Sequence, residues 1–159
     1  ADNLAKASAN LEKLVDEKLT EAGIELVCLA GWMRLLSPYF IERWHNRLIN
    51  IHPALLPSFK GLHTHQRVLD EGVKIHGCTV HYVRQEMDVG PIIAQAAVPV
   101  LDGDTADILA ARVLMAEHML YPHALGLVAS GRVRVEGERV VYSGQPSGAV
   151  HPPLIAPAL

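Results

Sequence analysis

Apolar residues recur at helical spacing near the front of the chain and then give way to short unbroken runs. Leu4, Ala7, Leu11, Leu14, Val15, Leu19 and Ala22 share one stripe of a helix over residues 4–22, and Gly23 suits the position that ends it. Residues 24–30 form an apolar run broken only by Glu25, which predicts a buried strand ended by Gly31. Pro38 opens a short helix that closes near Trp44. Residues 47–52 read as a second strand, and Pro53 and Pro57 force the following segment off regular structure. Residues 63–71 look helical. Residues 74–84 and 91–100 look like strands separated by a polar loop carrying Glu86, Asp88 and Gly90.

Asp102-Gly103-Asp104-Thr105 is a turn with a helix N-cap, and Leu109, Val113, Ala116 and Leu120 share a face of the helix it starts. Pro122 should kink or restart that helix, and Gly131 should stop it. Residues 132–135 and 139–142 flank Glu136-Gly137 as a hairpin. Residues 143–159 hold four prolines and read as an extended or disordered tail. Helices alternating with apolar strands in the first half predict an open α/β sheet, whose ligands bind beyond the carboxyl ends of the strands.

Composition narrows the class. A length of 159 residues, 50% hydrophobic and 19% charged, suits one packed domain and not a disordered chain. A net charge of −3 with a pI near 6.3 speaks against a general nucleic-acid binder. No apolar run approaches the roughly 18 residues a membrane span needs. The opening residues show no basic stretch followed by an apolar one, so no signal peptide is expected and the reading is cytoplasmic. Cys28 and Cys78, both in strand-like runs, are expected to be buried thiols and not a disulfide.

The chemistry gathers at strand ends. Asn50 and His52, two apart in a strand, project together. An amide and an imidazole side by side can hold an oxyanion, and the imidazole can move a proton near neutral pH. The ordinary alternative is a strand-end pair satisfied by the next loop. Asp88, in a loop between rigid strands, could orient His52 or simply be solvated. Gly31 with Met33, Arg34, Leu35 and Leu36 could line a flat apolar pocket or only connect strand to helix. His63 and His65, with His52, His76 or His81, could hold a metal, although no carboxylate or Cys-x-x-Cys supports them. Phosphate-loop, dinucleotide-binding and nucleophile-elbow motifs are not found.

Five segments, in order, carry a resemblance: residues 29–37 (LAGWMRLLS), 50–57 (NIHPALLP), 61–65 (GLHTH), 76–81 (HGCTVH) and 88–91 (DVGP). Together they resemble the phosphoribosylglycinamide formyltransferases, from about Ile24 to Tyr142. The resemblance implies an open, mostly parallel Rossmann-like sheet with a C-terminal antiparallel portion, in a single domain over residues 1–142. It also implies formyl transfer from 10-formyltetrahydrofolate to the amine of glycinamide ribonucleotide, in purine synthesis.

By the same resemblance, Asn50 and His52 stabilise the oxyanion, His52 is the general acid, and Asp88 orients His52 and raises its pKa through water. Met33, Arg34, Leu35, Leu36 and Asn50 meet the folate. Gly31, His63 and Glu117 lie near the nucleotide substrate. No metal is implied, and the protein would be a monomer or homodimer with no nucleic-acid or membrane partner. Val89 stands where the family often has Gly, and Ala54 where Ser is usual. The family opens with a phosphate-gripping loop that has no counterpart here, so this chain is expected to begin one or two βα units late. A formyltetrahydrofolate deformylase and a non-catalytic fragment of the fold are the competing readings.

Overall fold

The computed structural model describes residues 2–32, 34–144 and 153–157. Position 33 lies outside the described residues, as does most of the expected tail, at 145–152 and 158–159. The elements run α1 (Asp2–Glu21), β1 (Val27–Leu29), α2 (Pro38–Arg43), β2 (Leu48–His52), α3 (Thr64–Asp70), β3 (Ile75–Tyr82), β4 (Ile92–Pro99), α4 (Ala106–Ala129), β5 (Val133–Glu136) and β6 (Arg139–Tyr142). Local chemistry explains several boundaries. Ser37 and Thr105 cap α2 and α4 by accepting from the Phe40 and Ile108 amides, and Gly23 ends the α1 turn at φ 67°.

The strands β1-β2-β3-β4 form one sheet in that order, and β5-β6 form a separate hairpin. Only β1 and β2 run parallel; β2-β3 and β3-β4 are antiparallel. The sheet is therefore mixed, and the expectation of a mostly parallel sheet is corrected. For β3 and β4 the cause is the short loop 83–91, which returns the chain directly beside itself, while β3 runs antiparallel to β2 even though α3 lies in their connection.

Each face of the sheet has its own cover. Ile49, Val80, Ile93, Leu109, Val113 and Leu120 pack between the sheet and α4. Leu48 packs on the opposite face with Phe40, Ile41 and Trp44 of α2. This split follows from β2 itself, where Leu48 and Ile49 must point to opposite sides. Helix α4 continues through Pro122 without restarting.

Two other expectations change. The 24–32 run yields only a three-residue strand, with Ile24, Cys28 and Trp32 exposed and Cys78 alone of the two thiols buried. Helix α1 exposes Leu11, Leu14 and Val15 and turns Glu12 and Asp16 inward. Those carboxylates are satisfied: Glu12 accepts from the Ser37 amide, and Asp16 accepts from Tyr39 Oη at 2.7 Å and Trp44 Nε1 at 3.0 Å.

Candidate active site

Beyond the end of β2 lies a cavity of about 960 Å³. Gly31, Arg34, Leu35 and Leu36 line one side, Asn50 and His52 its floor, and Asp88 the loop side. His63, Glu117 and Tyr121 also face it. The residues singled out from sequence therefore meet in one place, save His76, which is buried away from the cavity, and Met33, which lies outside the described residues. Gly31 has φ 63°, a conformation that suits a residue without a Cβ at this sharp exit from β1.

The strand periodicity places Asn50 and His52 together. Register then sets their opposite numbers on β3: His81 across from Asn50, and Thr79 across from His52. His52 is buried, and its two ring nitrogens have different neighbours. Nε2 lies 2.9 Å from the Phe59 carbonyl, so Nε2 carries the hydrogen and donates it. Nδ1 faces Asp88 Oδ2 at 3.5 Å. The same Oδ2 accepts from the Gly61 amide at 2.8 Å, and Asp88 adopts φ 54° to reach it.

His81 is almost fully buried. Its Nδ1 donates to the Tyr82 carbonyl at 3.0 Å, leaving Nε2 as an acceptor 3.5 Å from Asn50 Nδ2. Burial holds its pKa below the ordinary value, against the opposing pull of the Tyr82 carbonyl and of Asp88. A neutral His81 thus turns the amide nitrogen of Asn50, its donor end, towards this corner.

The remaining histidines separate by role. His63 stands at the N-cap of α3 with φ 57° but makes no side-chain cap bond, and it lines the cavity. His65 bonds His76 at 3.2 Å, and burial, followed by neighbouring imidazoles, pushes His76 down to about 4. Among the described residues no cluster of His, Cys, Asp and Glu is arranged to hold a metal ion. On α4, burial pushes the Glu117 carboxyl up, and His118 beside it pulls it back. Tyr121 closes the sheet end by donating to the Leu29 carbonyl at 2.7 Å.

Sequence reasoning assigned no role to the Phe59 carbonyl, the Gly61 amide, Tyr121, Arg67 or Arg84. The first two are backbone groups and leave no residue-type signal. From sequence His81 reads as a possible metal ligand or a half-buried strand histidine; the pairing of β2 with β3 is what places it opposite Asn50.

An amide donor, a tautomer-fixed imidazole and a carboxylate on the wall of a large cleft define a site for adding a nucleophile to a carbonyl-type carbon. The formyl transferase family profile matches residues 1–125, and the chain belongs to that family. It is 52% identical over 140 residues to the trifunctional purine biosynthetic protein adenosine-3 of Bos taurus, covering 87% of this chain and 14% of that one. The glycinamide ribonucleotide transformylase 1 of Symbiobacterium toebii shares 50% identity with a TM-score of 0.80, covering 82% of this chain and 62% of that one. A formyltetrahydrofolate deformylase of Pseudomonas syringae pv. tomato shares 32% with a TM-score of 0.78, covering 82% and 44%. The chain thus spans under two thirds of the length of each of these relatives.

Proposed function

We propose that residues 1–142 act as one domain that transfers a formyl group from 10-formyltetrahydrofolate to the amine of glycinamide ribonucleotide. The observation that carries this reading is the trio at the cavity floor: Asn50 and His52 on one strand face, with Asp88 3.5 Å from His52 Nδ1. The higher identity to the transformylase than to the deformylase supports the choice of acceptor.

In this reading the amine nitrogen attacks the formyl carbon and forms the new C–N bond, and the carbonyl electron pair moves to oxygen. The Asn50 amide donates to that oxyanion, and His52 joins it as a donor once Nδ1 has taken the proton from the attacking nitrogen. The proton lost by the attacking nitrogen passes through His52 Nδ1 to N10 of the folate. The C–N10 bond then breaks, giving the formylated ribonucleotide and tetrahydrofolate. Asp88 holds the ring in the orientation that keeps Nδ1 on the reacting side. The step uses no metal.

Arg34, Leu35 and Leu36 form the folate side, and Met33 is assigned to the folate by the family resemblance alone. Gly31, His63 and Glu117 form the ribonucleotide side, with Glu117 a suitable acceptor for an amine or hydroxyl. A single chain furnishes every side chain of the trio, so a monomer suffices, and both substrates are water-soluble metabolites of the cytoplasm. The test is to follow loss of the 10-formyl group with and without glycinamide ribonucleotide. Loss that requires the ribonucleotide, with one equivalent formylated, is expected. Loss to water alone would make the protein a deformylase, and folate binding with no turnover would make it a non-catalytic fragment.

A further inference from the structure

Two contacts reach the reacting trio from one short loop. The Phe59 carbonyl accepts from His52 Nε2, and the Gly61 amide donates to Asp88 Oδ2. The loop bends sharply to present both groups, with Phe59 at φ 55°, Gly61 at φ 80° and His63 at φ 57°. A non-glycine residue in the left-handed region persists only where surroundings hold it.

What holds this loop is Arg67, one helical turn into α3. Its Nη1 donates to the Lys60 carbonyl at 2.7 Å and reaches the Leu62 carbonyl at 3.5 Å. Its guanidinium lies 5.5 Å from the centre of the Phe59 ring. Apart from His52, no other side chain among the described residues donates to a carbonyl of residues 59–62. The arginine is itself on a firm base, because Thr64 and Val68 bury the inner face of α3.

We propose that Arg67 is a positioning residue for the formyl-transfer step, a role that rests on the function assigned above. By gripping the carbonyls on either side of Gly61 and covering the Phe59 ring, it keeps one loop in register with both His52 and Asp88. The Phe59 carbonyl then selects the Nε2–H tautomer of His52 and leaves Nδ1 as the nitrogen that exchanges a proton. Without that grip the ring samples both tautomers, and only part of the protein is ready to react.

The test is nitrogen NMR of the histidine rings in the unliganded protein, at a pH where His52 is neutral, with His52→Ala to assign its signals. Wild-type protein should show the Nε2–H form alone. Arg67→Met, which keeps the apolar stem and loses the donors, should show a mixture. Its kcat should fall about tenfold or more, while the cooperative unfolding transition of the fold is retained. Arg67→Lys retains one donor for the Lys60 carbonyl and should recover most of the Nε2–H population. If Arg67→Met fails to fold, Arg67→Gln carries the same comparison. A single Nε2–H tautomer and wild-type kcat in Arg67→Met would overturn the proposal, as would a mixed tautomer in the wild type. The tautomer readout needs no substrate. A wild-type chain without transferase activity would therefore sink the function reading while the ring signals still decide the role of Arg67.

Discussion

Asn50 and His52 leave β2 on the same side because alternate residues of any strand must do so, and the sheet on either side of β2 holds them there. Asp88 and the Phe59 carbonyl arrive differently. They sit on loops at positive φ, and each depends on a few hydrogen bonds from outside its own segment. The strand supplies side chains whose direction survives perturbation. The loops supply the alignment of those side chains. The contrast teaches that removing a strand group should abolish the step, whereas loosening a loop should degrade it by degrees.

The largest test of that contrast is His52→Ala. Turnover should fall by about 10³- to 10⁴-fold, since proton transfer and one oxyanion donor are lost together, while the strand ladder around it persists. Steady-state formyl transfer beside the circular dichroism spectrum checks both halves, and near-normal turnover would defeat the assignment.

Asp88→Asn probes the loop half. The amide oxygen can still accept from the Gly61 amide, but the charge facing Nδ1 is gone. A fall in kcat of about 10- to 100-fold is expected. A loss as deep as that of His52→Ala would erase the distinction between strand and loop.

A buried strand histidine outside the trio sharpens the comparison through pH. His76, beside His65, has its folded pKa pushed from near 6.5 down to about 4 by burial. Between those values the unfolded chain binds the proton that the folded chain refuses. Stability present above pH 6.5 is therefore lost progressively as the pH falls towards 4. Urea unfolding at several pH values should show this slope, and His76→Gln should reduce it whatever its own stability, leaving the share of His65 and His81, which burial also pushes down. A slope unaltered by the substitution would place the acid sensitivity elsewhere.

The smallest effect belongs to Arg84, which ties the β3–β4 loop to the hairpin. Its Nε bonds Glu138 at 2.9 Å and its Nη2 bonds Asn46 at 2.8 Å. Arg84 also lines the cavity on the side of this loop, so loosening it should act on binding: Arg84→Ala should raise the KM for the formyl donor about two- to fivefold and leave kcat nearly unchanged, the scale of an ion pair worth up to ~1 kcal/mol. Steady-state kinetics against the donor separate the two parameters, and a drop confined to kcat would contradict the assignment.

Much of the architecture was legible in the residues. Helical spacing and short apolar runs marked the helices and strands, and Pro38 and the Thr105 cap placed two helix starts. The i, i+2 spacing placed Asn50 beside His52 without any tertiary information. Direction was not legible, because an apolar run looks the same in a parallel and an antiparallel ladder; only the tertiary pairing shows the sheet to be mixed. Nor was the orientation of α1, whose Leu11, Leu14 and Val15 face outward while Trp44, Tyr39 and Ser37 offer hydrogen bonds to Glu12 and Asp16 on the other side.

The sequence by itself determined which groups can do chemistry, since an imidazole, an amide and a carboxylate are properties of residue type. Whether they act together was decided only by the fold. The 3.5 Å between His52 and Asp88 spans 36 positions of chain. The Phe59 carbonyl and the Gly61 amide, which aim that pair, are backbone groups that every residue but proline possesses. Only the path of the chain makes these two special.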